Sequence, residues 1–290
     1  MEGRISGHTG LVALIGSPVG HSGSPAMHNY SFQRLGLDYA YVAFDVKVEE
    51  TKAAIEAMRT LKIRGYNVTM PCKMEAAKYV DALSPAAQII GAVNTIVNDN
   101  GFLTGYITDG EGFVNNLRDH GVDVKDKKIT IAGGGGAATA IQVQCAIDGA
   151  RELSIFKRKS ADFERTLEMA EKIRGNVPDC IVNVFDTADT AKMTEEIKDS
   201  DIFINGTIVG MKPMDDQSVV KDLSAFRPGL VVCDAVYNPE ETKLLRLARE
   251  HGCPTFNGLY MLLYQGAAAF TLWTGKEMPV DIIKEKYFKR

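Results

Sequence analysis

Lys128-Ile129-Thr130-Ile131-Ala132-Gly133-Gly134-Gly135-Gly136-Ala137-Ala138 decides the fold. Lys128–Ala132 reads as a buried strand, four glycines follow, and a helical pattern runs from Ala137 to Ile147. Gly133, Gly135 and Ala138 fit the spacing GxGxxA. Glycines at such a turn let the backbone double back, so that the N–H groups opening the helix can approach a pyrophosphate. Alone, the motif is compatible with an ordinary glycine-rich turn. The strand before it, the helix after it and a second βαβ unit beyond it favour a dinucleotide loop formed by Gly133, Gly134, Gly135, Gly136, Ala137 and Ala138.

The next strand, Glu152–Phe156, runs into Lys157-Arg158-Lys159-Ser160. Enzymes of this design that use NAD usually carry an acidic residue there, which holds the adenosine ribose. Here three consecutive cations replace it, and they suit a ribose 2′-phosphate bearing roughly two negative charges. NADP is therefore the expected nucleotide. A merely solvated basic turn is the alternative, and Asp162 leaves room for NAD. Downstream, Phe163–Ile173 reads as a helix, Ile181–Phe185, Asp201–Asn205 and Leu230–Ala235 as strands, Glu241–His251 as a helix and Pro254–Phe256 as a last strand. This is the rhythm of a doubly wound nucleotide-binding domain.

Upstream, Leu11–Ile15, Ala40–Val46 and Gly65–Thr69 read as strands, and Pro25–Leu35, Glu49–Thr60 and Cys72–Leu83 as helices. Asp99-Asn100-Gly101 between Thr95–Asn98 and Phe102–Tyr106 is a hairpin signal that closes the unit. The alternation implies an α/β protein with parallel sheets. Leu259–Trp273 is a long apolar helix able to return to the first unit.

Composition narrows the classes. The 290 residues are 45% hydrophobic and 24% charged, the balance of a globular protein. A net charge of −4 provides no basic field for nucleic acid. No apolar run reaches the roughly 18 residues of a membrane helix. Met1-Glu2-Gly3-Arg4 lacks a signal-peptide layout, so a cytoplasmic protein is expected. Cys72, Cys145, Cys180, Cys233 and Cys253 are scattered without CxxC spacing, and the five histidines form no HExxH. Neither a disulfide framework nor a metal site is expected.

A nucleotide loop suggests hydride chemistry, and oxidising an alcohol needs a proton-handling group beside the carrier. No tyrosine has a lysine four residues on, and no histidine is flanked as a hydroxy-acid dehydrogenase base would be. Lys73, closing Asn67-Val68-Thr69-Met70-Pro71-Cys72-Lys73, and Asp109, in Thr108-Asp109, are the remaining candidates. A free lysine keeps its proton to roughly pH 10.4. As an ammonium it could hydrogen-bond a carbinol oxygen and return a proton, with Asp109 holding it in place. From spacing alone, two unrelated solvated charges are an equal reading. In His21-Ser22-Gly23-Ser24-Pro25, Ser24 is a natural N-cap with Pro25 at the first helical position. Ser22 is then the hydroxyl left over for a ligand, and the pair suits a carboxylate. Asn67, Thr69 and Asn94 are polar residues at the ends of apolar strands, where such sheets place their ligands.

Taken in order, Gly16-Ser17-Pro18, His21–Pro25, Asn67–Lys73, Gly91-Ala92-Val93-Asn94-Thr95, Thr108-Asp109-Gly110, the glycine loop, Asn205-Gly206-Thr207, Val209-Gly210-Met211, Val236-Tyr237-Asn238-Pro239 and Met261–Gly266 run nearly end to end. As a set they make the chain resemble the shikimate dehydrogenase family, most closely its quinate/shikimate dehydrogenase branch. The resemblance implies an N-terminal α/β substrate domain, residues 1–112 joined by helices of 260–290, and a Rossmann-like doubly wound domain, 113–259. It implies that Lys73 and Asp109 form the catalytic pair and that Ser22 and Ser24 bind the substrate carboxylate. Asn67, Thr69, Asn94, Tyr237 and Gln265 would contact substrate hydroxyls or carboxylate, and Ala235 and Gly258 would lie near the nicotinamide. The family reversibly oxidises the ring 3-hydroxyl of shikimate to 3-dehydroshikimate with NADP or NAD. Four positions depart from the family's habit. Ile107 stands where Asn is usual and Gly23 where Leu is usual. Lys157 stands where Asn is common, and Ser160 where the dual-cofactor branch often has Asp. A catalytically silent nucleotide sensor on the same fold and a different hydroxy-acid dehydrogenase are the alternatives. A homodimer is compatible with the sequence, although no patch requires one.

Overall fold

The computed structural model describes residues 5–288, so Met1–Arg4, read for a leader sequence, lie outside the described residues. The chain divides into two compact units, Met1–Thr108 with Leu263–Arg290, and Asp109–Leu262. The first contains β1 (Gly10–Gly16), α1 (Ser24–Arg34), β2 (Tyr39–Asp45), α2 (Thr51–Thr60), β3 (Gly65–Val68), α3 (Lys73–Ala76), β4 (Ala82–Leu83), α4 (Pro85–Ile90), β5 (Thr95–Asp99) and β6 (Phe102–Tyr106). Its sheet runs β2-β1-β3-β5-β6-β4. Val12, Ala13, Leu14 and Ile15 are all buried, so β1 reads as a continuous apolar run because both of its faces are covered.

Two expectations for this unit need correction. The sheet is mixed: β5 and β6 form the expected hairpin, but β5 also runs antiparallel to β3. Cys72–Leu83 is not one helix: α3 ends at Ala76, and Ala82–Leu83 pairs with Thr104–Gly105. The Asp81 carboxylate accepts from the Arg59 guanidinium at 2.8 Å and from the Leu103 N–H at 2.7 Å, drawing the segment to the sheet edge. Tertiary pairing has overridden local helical pattern.

The second unit holds α5 (Asp109–Asp119), β7 (Lys128–Ala132), α6 (Gly136–Ile147), β8 (Glu152–Lys157), α7 (Phe163–Asn176), β9 (Ile181–Asp186), α8 (Thr190–Asp199), β10 (Ile202–Asn205), β11 (Val231–Asp234), α9 (Lys243–Glu250) and β12 (Thr255–Phe256). Its strands are all parallel, in the order β12-β11-β10-β7-β8-β9. That is the doubly wound order, with its reversal between β7 and β10. A boundary at 112/113 would cut α5. This helix packs against α6 through Gly110, where a Cβ would stand 2.2 Å from the Ala140 carbonyl oxygen. At the amino ends of the strands, buried Lys128 meets Glu196 and Asp199 at 2.8 Å and Glu152 at 3.3 Å. The buried ammonium is thereby paired instead of being stranded in the interior.

The last long helix, α10 (Leu259–Thr274), belongs to the first unit from Leu263 onward. Its Trp273 indole donates to the Ile96 carbonyl at 3.0 Å and lies where a Cβ on Gly65 would fall, 2.1 Å from Nε1. Beside it His28 is fully buried, stacked on Tyr41 with ring centroids 4.5 Å apart and tilted against Trp273 at 5.3 Å. Neither ring nitrogen has a hydrogen-bond partner, and burial lowers the imidazole pKa to about 3. The unfolded chain takes up this proton near pH 6.5, but the folded chain refuses it until about 3. The native state therefore has its full stability above pH 6.5 and loses it as pH falls through that window, by about 1.4 kcal/mol per unit. His28→Phe keeps the aromatic volume without the proton. Compared with the parent it should gain about 2 kcal/mol on going from pH 6.5 to pH 5. Urea-unfolding curves at the two pH values test this, and parent and variant responding alike to pH would refute it.

Candidate functional site

In the first unit, Asn67 and Thr69 sit at the carboxyl end of β3 and Asn94 at the amino end of the antiparallel β5 beside it, and hydrogen bonds join Asn67 to Asn94. Ser22 Oγ accepts the Ser24 N–H at 3.2 Å. Burial raises the pKa of the Tyr41 phenol, and the Ser24 side chain opposes that rise. Tyr41 Oη donates to Asn67 Oδ1 at 2.8 Å. Asn67 Nδ2 donates to the Asn94 carbonyl at 3.2 Å and to Thr95 Oγ1 at 3.1 Å. Thr95 Oγ1 donates to Asn94 Oδ1 at 3.1 Å, which also receives the Thr108 N–H at 2.8 Å. Asn94 Nδ2 completes the chain by donating to Thr108 Oγ1 at 3.0 Å.

From Tyr41 to Thr108 this network is buried, so its members cannot turn to water without losing a bond. It also brings two chain segments into register. Lys73, half-buried at the first residue of α3, accepts the Val93 N–H on its carbonyl at 3.0 Å. The next residue, Asn94, holds the N–H of Thr108, which directly precedes Asp109 at the start of α5. Thr69 packs its methyl where a Cβ on Gly16 would fall, 2.4 Å away, and Gln265 lies half-buried on α10. Ile107 joins the apolar core beside Val93 and Ile96. The backbone around it is held instead by Asn94 and Thr108.

The expected role of Ser24 as an N-cap is corrected. Helix α1 begins at Ser24 itself, its N-cap is Gly23, and no side chain caps it. The Ser22 hydroxyl, read as left over, accepts the Ser24 N–H. Tyr41, Thr95 and Thr108 were not singled out in the sequence. Tyr41 looks like any core aromatic of a strand, and only its phenol's position reveals the relay.

In the second unit, Gly133 has φ +123°, and a Cβ on it would meet Gly206 at 2.9 Å. Gly135, Gly136 and Ala137 are exposed, and the N-terminus of α6, a helix of 12 residues, carries no side-chain cap. Nothing lies within 4 Å of a Cβ built on Gly135 or Gly136, so the side-chain face of the loop is open. Ala138 is buried beneath, 2.7 Å from a Cβ built on Gly206. This arrangement fits a pyrophosphate.

The three consecutive cations at the end of β8 differ in their surroundings. Lys157 Nζ is paired with Asp162 at 2.8 Å, and Ser160 Oγ also donates to that carboxylate. The Lys157 and Ser160 bonds hold the Asp162 pKa down to about 2. Arg158 and Lys159 remain exposed beside the pair. Tyr237 is exposed after β11, and Gly258 approaches Ala235 so closely that a Cβ would lie 2.1 Å from the Ala235 carbonyl oxygen.

Comparison with known proteins agrees with this geometry. Residues 14–96 match the family model described as the shikimate dehydrogenase substrate binding domain, and residues 258–286 that of the shikimate 5′-dehydrogenase C-terminal domain. The chain is 50% identical to the shikimate dehydrogenase (NADP(+)) of Listeria monocytogenes serotype 4b over 98% of both chains. It is 46% identical to an Escherichia coli quinate/shikimate dehydrogenase over 95% of each. The crystal structure of shikimate 5-dehydrogenase from Listeria monocytogenes in complex with shikimate and NAD superimposes with a TM-score of 0.95 at 50% identity, covering 98% of each chain. With a substrate-domain match, a doubly wound second unit and full-length likeness at this identity, the chain belongs to the shikimate dehydrogenase family.

Proposed function

We propose that the protein is a shikimate dehydrogenase that reversibly oxidises the 3-hydroxyl of shikimate to 3-dehydroshikimate, with NADP preferred and NAD usable. The observation carrying this reading is the buried relay from Tyr41 to Thr108, which fixes the backbone flanking Lys73 and Asp109 in a chain of this family. The first unit is read as the substrate domain and the second as the nucleotide domain. The five thiols, all free and buried, fit a reducing compartment and thus the cytoplasm.

Under this reading Lys73 handles the proton of the reacting hydroxyl and Asp109 fixes the ammonium. Ser22, Ser24, Asn67, Thr69, Asn94, Tyr237 and Gln265 orient the ring through its carboxylate and remaining hydroxyls. Asn67 and Asn94 each spend most of their bonding capacity on protein partners. They therefore meet a ligand already oriented, which is the main way a rigid site aids reaction. When bound, the nicotinamide supplies the hydride acceptor. The amides of Gly135 and Gly136 would hold its pyrophosphate, and Arg158 and Lys159 a 2′-phosphate. The Lys157–Asp162 pair leaves a carboxylate beside that position, which favours retaining some NAD use.

The Escherichia coli relative favours quinate as a second substrate of the same site. Crossing shikimate and quinate against NADP and NAD in steady-state kinetics tests both readings. Shikimate-dependent reduction of NADP is expected, and no turnover in any of the four combinations would reject the proposal. Lys73→Ala should lower kcat by about a hundredfold or more, in line with the loss of a proton-transfer group; a parental kcat would remove Lys73 from the mechanism. Arg158→Ala should raise the KM for NADP by about tenfold and leave that for NAD within about twofold, as expected for one lost charge-assisted bond. Equal effects on both nucleotides would take the 2′-phosphate away from Arg158.

A further inference from the structure

Asp234, the last residue of β11, is wholly buried and has three hydrogen-bond donors arranged around it. Asn205 Nδ2 at the end of β10 and the Val236 N–H both donate to Oδ1 at 2.9 Å. Thr242, the N-cap of α9, donates to Oδ2 at 2.7 Å. Asn205 carries the connection onward. Its Nδ2 also donates to the Val209 carbonyl at 2.9 Å, and its Oδ1 receives the Thr207 N–H at 3.0 Å and the Thr207 hydroxyl at 2.6 Å. Thr207 Oγ1 accepts the Val209 N–H at 3.1 Å. One carboxylate thus stands behind two loops, residues 206–210 after β10 and 235–237 after β11.

Both loops leave the carboxyl ends of strands on the half of the doubly wound sheet that follows the reversal. In such sheets that half receives the second mononucleotide of a dinucleotide, the nicotinamide end. Gly206 backs directly onto Gly133 of the nucleotide loop and Ala138 of α6, and Ala235 onto Gly258. The catalytic reading gives Asp234 no task. A purely structural site would be served at lower solvation cost by a neutral side chain.

We propose that Asp234 is a positioning residue for the nicotinamide half of the nucleotide, its carboxylate clamping loops 206–210 and 235–237 into the shape that receives it. The inference rests on the reading of the second unit as the nucleotide domain. It is a charge-dependent clamp, because a carboxylate accepts from all three donors at once, whereas a protonated carboxyl turns one oxygen into a donor facing donors. Burial pushes the Asp234 pKa up to about 7, against the opposing bonds from Thr242, Val236 and Asn205. The groups facing it are Asn205 from β10 and Thr242 from the start of α9. Its titratable neighbours are the buried thiols of Cys233 on its own strand and, beyond it, Cys145 on α6; no cation contributes to its shift. The clamp should therefore close as pH rises through about 7.

Equilibrium binding of NADPH and NADH, followed by nucleotide fluorescence between about pH 6 and 9, tests the clamp without requiring turnover. NADH lacks the 2′-phosphate and so excludes that group's own titration. The parent should bind both nucleotides more tightly above neutrality. Asp234→Asn should weaken both by about fivefold or more at pH 8 and abolish the pH step. Thr242→Val, which leaves the carboxylate with one donor fewer, should move the step to higher pH, and Thr242→Ser should restore it. Parental affinity and pH profile in Asp234→Asn would overturn the proposal. So would an unshifted step in Thr242→Val, which decides the matter if the Asn variant fails to fold. Nucleotide binding without turnover of shikimate or quinate would instead reject the dehydrogenase reading and leave the clamp to be judged on its own data.

Discussion

The Asn94 side chain is the constraint on which the first unit's site depends. It is a buried amide whose oxygen receives a backbone N–H and a threonine hydroxyl, and whose nitrogen returns a bond to Thr108. Leaving such a group unpaired in the interior would cost about 1–3 kcal/mol per missing partner. The β5 terminus, the β3 terminus and the turn into α5 are therefore held to a single mutual arrangement. A site for a polyhydroxylated ring needs that kind of backing, since each ligand-facing dipole must already point the right way before the ligand arrives.

The second unit solves a different problem with charge. At the amino edge of its sheet, Lys128 gathers three carboxylates into a closed cluster. At the carboxyl edge, the start of α6 is exposed and carries no side-chain cap, and a solitary carboxylate, Asp234, is held by neutral donors. The first arrangement satisfies an interior cation and concerns stability. The second leaves electrostatic capacity unspent, which is where a doubly wound fold places its ligand chemistry.

Much of the architecture was legible in the chain because burial leaves a pattern. A continuous apolar run marked β1, β-branched residues marked β7, and the glycines at 133–136 marked the reversal from β7 into α6. What escaped reading had no local signature. Pro85–Ile90 and Thr190–Asp199 are capped by Ser84 and Asp189, cues that stand out only once the helices are seen. The span 72–83 has helical composition, yet its end is taken by an edge pairing to β6 that no local pattern announces.

By itself the sequence determined the class of fold, the place of the nucleotide loop and the residue types at the strand ends. Periodicity and glycine placement are local properties, carried by neighbours a few residues apart. Only the tertiary structure decided how those polar groups are partnered. Ser24 opens its helix instead of capping it, Lys157 is drawn to Asp162, and Asn205 and Thr242 converge on Asp234. A hydrogen bond is settled by geometry between segments distant in the chain, and a buried donor takes whichever acceptor the packing leaves within reach.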